Sequence, residues 1–235
     1  MKRALISILI VAAMAMMAAA QVTRHEVKVG DFTRLSVVDN INVNYRCNPD
    51  SAGLAVFTSS QEVADALMFS NSSSGRLSIQ VVDEWERVRQ LPSLTVYSKT
   101  LDEAENSGDS TLRVSRLPAL KAFKVRLTDN GKVIVKGVRA SHLELQIISG
   151  KGKIIADGSC DELALRLVGT GEIQADGVTA TEVSCRIMGT GRIGCHVNGG
   201  QLKVSGSGTG KVYYKGTPSK VTVRKLGTIK AIPME

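Results

Sequence analysis

The sequence predicts an all-β protein, a parallel β-solenoid with rungs of about 20 residues, and three features of it carry that reading. The first is a glycine column at Gly131, Gly152, Gly171, Gly191 and Gly210, each glycine followed by a charged residue and then Val or Ile, with a decayed copy at Gly227-Thr228-Ile229. The second is a run of alternating residues upstream of each: FKVRL from Phe123, LELQI from Leu143, LALRL from Leu163, VSCRI from Val183, LKVSG from Leu202 and VTVRK from Val221. The third is another glycine column, Gly137, Gly158, Gly177, Gly199 and Gly216, after the second strand of each unit. A unit of strand, glycine corner, strand and glycine turn is too short to bury an apolar face alone. It becomes stable by stacking on its neighbours.

Taken in chain order, residues 1–20 read as an export signal: Lys2 and Arg3, the apolar stretch Ala4 to Met17, then Ala18-Ala19-Ala20 as the cleavage site. The alternative, an uncleaved anchor, fits less well, because the apolar run sits at the short edge of a span. Gln21, not cysteine, follows the cleavage site. The rest, 21–235, reads as one solenoid domain, less regular to about residue 120 and repetitive over 121–235. In its first half, Phe32 to Arg46, Leu54 to Ser59, Gly75 to Val82, Leu94 to Ser98 and Ser110 to Leu117 read as strands, with a single helical turn within Ser60 to Phe69. The polar stretches Asn71 to Ser74 and Asp102 to Asp109 read as exposed loops. In the repeats, period two points Leu143, Leu145 and Ile147 inward beneath Leu163, Leu165 and Leu167, and those beneath Val183, Cys185 and Ile187. Second strands stack Ile154, Ile173, Ile193 and Val212, and Ala156, Ala175, Cys195 and Tyr214. Corners call for glycine, for positive φ or for close backbone approach, which assigns Gly152, Gly171, Gly191 and Gly210 a structural role.

The chain is formally +8 with few aromatics, and two of those charges lie in the export signal. An exported protein without an aromatic stacking platform is a poor nucleic-acid binder, so anionic glycans, lipopolysaccharide phosphates or a membrane surface are the better partners. Chemistry-bearing constellations are sparse. Asp157 and Asp176 fall at equivalent positions in adjacent rungs, but Lys136, Asn198 and Lys215 share their column, and Asp-Gly is ordinary turn chemistry rather than a Ca²⁺ or lyase site. His25, His142 and His196 are scattered, and no nucleophile triad or zinc spacing appears. The glycine-rich Ser205 to Lys211 lacks the ending and following helix of a phosphate loop. Cys47, Cys160, Cys185 and Cys195 permit disulfides, yet Cys185 and Cys195 occupy inward positions where a small hydrophobe suffices. A bond between them needs Cα atoms within about 7 Å.

The stretches DFTRLSVVDNINVNY, GRLSIQV, LTVYS and ENSGDSTLRV, together with the glycine-cornered repeats, resemble the head GIN domain family of auto-transporter adhesins. The likeness runs from about Phe32 to the C-terminus. It implies a right-handed parallel β-helix exported by a Bacteroidota-type bacterium, and it brings no catalytic motif. Thr128-Asp129-Asn130 departs from the Gly-x-Gly corner in the first repeat.

The resulting expectation is a non-enzymatic binding protein without cofactor or metal, adhesin-like, in the periplasm, at the outer membrane or on the cell surface. A structural envelope scaffold is the alternative and a polysaccharide lyase a more distant one. The expected ligand is an acidic polysaccharide or lipopolysaccharide. Its contacts would be a ladder of outward basic residues, Arg126, Arg166 and Arg186, with Lys153, Arg192 and Lys211 near the adjoining corner. Gln146, Ser205 and Arg224 share the arginine column, and Glu144 and Glu172 are neighbours able to neutralise parts of it. Asp50-Ser51-Ala52 and Asp109-Ser110-Thr111 match a short O-glycosylation pattern, making Ser51 and Ser110 candidate acceptors.

Overall fold

The structure, a computed structural model, describes residues 22–82 and 91–234; the export signal expected over 1–20 lies outside the described residues. Its repetitive part is built from β10 (Ala119–Leu127), β11 (Lys132–Ile147), β12 (Lys153–Gly169), β13 (Glu172–Gly189), β14 (Arg192–Asn198), β15 (Gln201–Gly208), β16 (Lys211–Thr217), β17 (Lys220–Gly227) and β18 (Lys230–Pro233). Each rung pairs in parallel with the next, about 20 residues on. Long strands such as β12 bend, so that one strand carries the second segment of one turn and the first segment of the following turn.

Alternation converts this register into columns. Phe123, Leu143, Leu163, Val183, Leu202 and Val221 are successive partners, as are Val125, Leu145, Leu165, Cys185, Val204 and Val223. On the second segment Leu112, Val133, Ile154, Ile173, Ile193, Val212 and Ala231 stack likewise. Most of these side chains are fully buried, and each Leu, Ile or Val removed from water contributes about 1.5–3 kcal/mol. All four cysteines are free thiols. Cys185 and Cys195 meet inside the core, where their mutual hydrogen bond and burial push the Cys185 thiol well up.

The corner divides its work between two glycines. Gly189 is the left-handed residue, with φ 135, and Gly169 and Gly208 repeat it. Gly191 needs no positive φ. A Cβ there would lie 2.5 Å from the Gly171 carbonyl oxygen and from Leu167 Cδ2, and at Gly171 it would lie 2.6 Å from the Gly152 oxygen. That bare backbone lets the Gly171 carbonyl accept from Arg192 N and the Gly191 carbonyl from Lys211 N, each at 3.1 Å. Close approach, then, and not positive φ, is what the second column requires. In the first repeat Asp129 takes the left-handed place at φ 69, a conformation Asp tolerates better than most residues.

The first half departs from chain order. β2 (Arg34–Val37) and β3 (Val43–Cys47) form a rung lying between the rung of β6 (Arg76–Val81) and β7 (Leu94–Ser98) and that of β8 (Glu103–Asn106) and β9 (Thr111–Ser115). The excursion after β3 contains β4 (Leu54–Ser59), helix α1 (Gln61–Asp65) and β5 (Leu67–Asn71). Ser60 caps the helix, its hydroxyl accepting from Val63 N. β1 (Thr23–Lys28) and β4 extend β7 antiparallel, and β5 adds antiparallel to β6, so this end of the stack is covered. The loop expected over Asp102 to Asp109 is instead strand and tight corner. Asn106 is fully buried at the register of Leu127, donating to Ser110 O at 3.0 Å and accepting from Gly108 N at 3.3 Å.

Ion pairs lace neighbouring rungs: Lys136 with Asp157 at 2.6 Å, Lys124 with Glu144 at 2.7 Å and Lys153 with Glu172 at 3.0 Å. Lys215 reaches Asp176 at 2.9 Å across an intervening rung, and the Asp176 side chain lies over Gly194. Burial alone would raise the carboxyls of Asp157, Glu144 and Glu172, but their lysine partners hold all three below the ordinary range. The Lys215 hydrogen bond does the same for Asp176.

Replacing Gly191 by Ala adds only the obstructing Cβ and should lower stability by more than about 2 kcal/mol, while Thr190→Ala beside it stays within about 0.5 kcal/mol. Denaturant midpoints read both; equal midpoints would remove the close-approach requirement. A folded carboxyl pKa below the unfolded value stabilises above the unfolded pKa and loses that contribution as pH falls through the folded one. The melting midpoint should therefore hold from neutrality to about pH 5 and fall below about pH 4, with a shallower fall in Asp157→Asn. An identical acid profile in that variant would show the pair contributes nothing.

Candidate functional site

The outer side of the first-segment sheet is a lattice of three columns. Along one run His142, Glu162, Glu182, Gln201 and Lys220; along the next Glu144, Ala164, Ser184, Lys203 and Thr222; along the third Arg126, Gln146, Arg166, Arg186, Ser205 and Arg224. Stacked neighbours lie about 4.8 Å apart and the outer columns about 13 Å apart, four strand residues. Ala164 and Ser184 are short, so a shallow trough runs between Glu162 and Glu182 on one side and Arg166 and Arg186 on the other, with Lys203 at its end.

The six basic residues expected to bind do not form one set. Arg126 lies 3.1 Å from Glu103, which also meets Arg76 at 3.3 Å, so its charge is satisfied within the fold. Lys153 is likewise held by Glu172. Arg166 and Arg186, by contrast, are exposed register partners, and among the described residues neither reaches a carboxylate within 4 Å. In the corner column Arg192 and Lys211 are stacked and exposed, neither with a carboxylate within 4 Å among the described residues, although Glu172 precedes Arg192 in register and is held lower partly by that guanidinium; Lys230 continues the column. Gln146 is nearly buried and donates to Glu144.

Sequence reasoning passed over Lys203, Lys220, Lys225 and Lys230. The signal was there in the distribution of charge: residues 181–234 hold Arg186, Arg192, Lys203, Lys211, Lys215, Lys220, Arg224, Lys225 and Lys230 against the single carboxylate Glu182, whereas the chain from 22 to 180 is close to balanced. The protein's positive surplus therefore sits on its last rungs.

The other candidates are absorbed by the fold. Asp157 accepts from Gly137 N at 2.6 Å besides Lys136, and Asp176 from Lys215, which explains both as turn and ladder residues. Among the described residues no three His, Cys, Asp or Glu side chains gather as a metal site would require. His25 stacks on Phe57, His142 meets Glu162 at 3.2 Å and His196 lies 3.4 Å from Thr179 Oγ1, in separate places. Gly206, Gly208 and Gly210 are strand and corner positions over Ile187, Gly189 and Gly191. Burial pushes the Cys160 thiol up to about 12, and Cys47 donates to Lys99 O at 2.9 Å. Ser110 is 6% exposed and its hydroxyl donates to Asn106. Ser51 ends a 3-10 turn, Pro49–Ser51, and is half-buried.

A family model described as "Putative auto-transporter adhesin, head GIN domain" matches residues 31–218. Among solved structures, a "putative adhesin" from Bacteroides fragilis superposes with a TM-score of 0.82 at 19% identity, covering 92% of this chain and 98% of its own. A "Putative lipid binding protein" from Parabacteroides distasonis gives 0.72 at 19% identity, and a "putative adhesin" from Parabacteroides merdae 0.67 at 20%, both with the same coverage. Identities this low establish a shared fold. No curated protein matches. The matched span covers most of the described rungs, and the glycine corners, the covered N-terminal end and the neighbours' superposition agree: the chain belongs to the head GIN domain family, whose description as an auto-transporter adhesin suggests an exported or surface protein.

Proposed function

We propose that this protein is an exported, non-catalytic, adhesin-like binding protein that recognises an acidic polysaccharide or the phosphorylated sugars of lipopolysaccharide. One observation carries the reading. Arg166 and Arg186 are held side by side on a rigid sheet, exposed and without a carboxylate within 4 Å, while Arg126 in the same column and Lys124 and Lys153 in others are all paired. Two stacked guanidiniums repel each other, and an anion placed between them relieves that repulsion. Arg binds carboxylate and phosphate bidentately, and the strand spacing fixes where successive anions must lie. Lys203 and Arg224 prolong the surface towards the C-terminal rungs, and Arg192 and Lys211 line the adjoining corner. Individually exposed contacts are weak, so affinity comes from several at once and declines with salt.

Calorimetry with an acidic polysaccharide at low salt should show binding that weakens as salt rises. Arg166→Ala with Arg186→Ala should lower the affinity by about tenfold or more while leaving the melting midpoint unchanged, given about 1 kcal/mol for each exposed contact. The Arg126→Ala variant should bind nearly as well as the parent. Absence of binding, or binding indifferent to the double substitution, would leave the domain an envelope scaffold.

A further inference from the structure

The two ends of the stack are finished differently. At the N-terminal end β5, β4, β1 and α1 cover the core, whereas β17 and β18 leave the last described rung bare. Val221 and Val223, in register with the buried Leu202 and Val204, are 39% and 40% exposed. The outer face breaks its pattern in the same rung. Arg224-Lys225-Leu226-Gly227 occupies the register of Arg186-Ile187-Met188-Gly189, through Ser205-Gly206-Ser207 between them. Lys225 thus stands in line with the inward Ile187, and Leu226 in line with the outward Met188. Leu226 is 78% exposed and Met188 40%, and the small side chains of Ser205 and Ser207 leave a notch between their rungs. Lys220, Arg224, Lys225 and Lys230 surround this end, and no Asp or Glu occurs between residues 183 and 234.

A rung left open on one side needs only a polar finish, and a lysine in its strand supplies it by discouraging pairing with another sheet. Leu226 works against that purpose. A large aliphatic side chain held out into solvent beside Arg224 and Lys225 has the pattern of a surface that meets anionic lipid: apolar groups enter the acyl boundary while Lys and Arg sit among the headgroup phosphates. We propose that the C-terminal rungs dock on an anionic lipid surface, with Leu226 and Met188 entering the interface and Lys220, Arg224, Lys225 and Lys230 contacting the headgroups. Penetration is confined to side chains, because the unpaired backbone edge of β17 cannot enter hydrocarbon without losing its hydrogen bonds to water. A polypeptide strand added to β17 is the competing occupant. It would cover Val221 and Val223 but leave Leu226, on the outward register, uncovered. This inference goes beyond polysaccharide recognition by Arg166 and Arg186 and does not depend on it.

Co-sedimentation of the purified protein with phosphatidylcholine vesicles, with and without phosphatidylglycerol, tests it. Binding is expected only where phosphatidylglycerol is present. Each basic residue near such a surface is worth about fivefold in partitioning, so Arg224→Gln with Lys225→Gln should weaken it by more than about tenfold. Leu226→Asn should weaken it by about fivefold or more without altering polysaccharide binding. Arg166→Ala, two rungs removed from Ser205, should stay within about twofold of the parent on vesicles. Equal binding with and without phosphatidylglycerol, or no binding at all, overturns the proposal, as does a Leu226→Asn variant that binds vesicles normally. Lipid-independent self-association abolished by Leu226→Asn overturns it too, and makes the end a protein contact.

Discussion

The whole structure depends on backbone meeting backbone at the corner, where the carbonyls of Gly152, Gly171 and Gly191 each accept from the residue that follows the next glycine along the stack. A Cβ at Gly171 or Gly191 would come within 2.6 or 2.5 Å of the carbonyl oxygen of the glycine before it in the column. With the corner closed at sheet spacing, both strands of the rung fall into register with the rung before. The Leu, Ile and Val columns then become continuous, and the hydrophobic burial that stabilises the domain follows from that continuity. Neither the strands nor the core could hold this register if the corners stood farther apart.

The same constraint makes the surface a ruler. Every outward residue acquires neighbours about 4.8 Å above and below, whatever its type, so charge along a column decides whether a rung pairs or presents. Where sign alternates, as at Lys124 and Glu144 or Lys153 and Glu172, the charges satisfy each other. Where it does not, at Arg166 and Arg186 or at Arg192 and Lys211, the charge stays facing solvent. No acid occurs between Glu182 and Glu235, which concentrates the unpaired cations on the last described rungs. In the proposed function, recognition is accordingly a matter of which side chains are left over by the ladder. No pocket has to be built for it.

Legibility follows from periodicity. The repeats were readable because Phe123, Leu143, Leu163 and Val183 recur at a fixed distance from a glycine, and the columns they imply are those observed. The first half obeys no such period. The β2 and β3 rung is threaded between rungs formed much later in the chain, and local sequence carries no trace of that order. Asn106 reads as loop from its neighbours Glu105, Ser107 and Gly108, yet it is buried because its amide serves the corner of its own turn. The arginine column was legible as a column, but the fate of Arg126 was not, since Glu103 arrives from the less regular half. The repeat marks Gly191 as a corner, but the division between a left-handed glycine and a bare one depends on backbone approach between rungs, which local sequence does not carry.

The central claim is that a glycine-set register leaves uncompensated cations on the C-terminal rungs and that these meet the ligand. Backbone amide chemical-shift mapping during titration with an acidic polysaccharide tests it most directly. The account predicts perturbations gathered on the strands that carry Arg166, Arg186, Lys203 and Arg224 and on the corner at Arg192 and Lys211, with the N-terminal rungs around Arg34 and Arg76 unaffected. Perturbations centred on those N-terminal rungs, or spread evenly over the sheet, would contradict it.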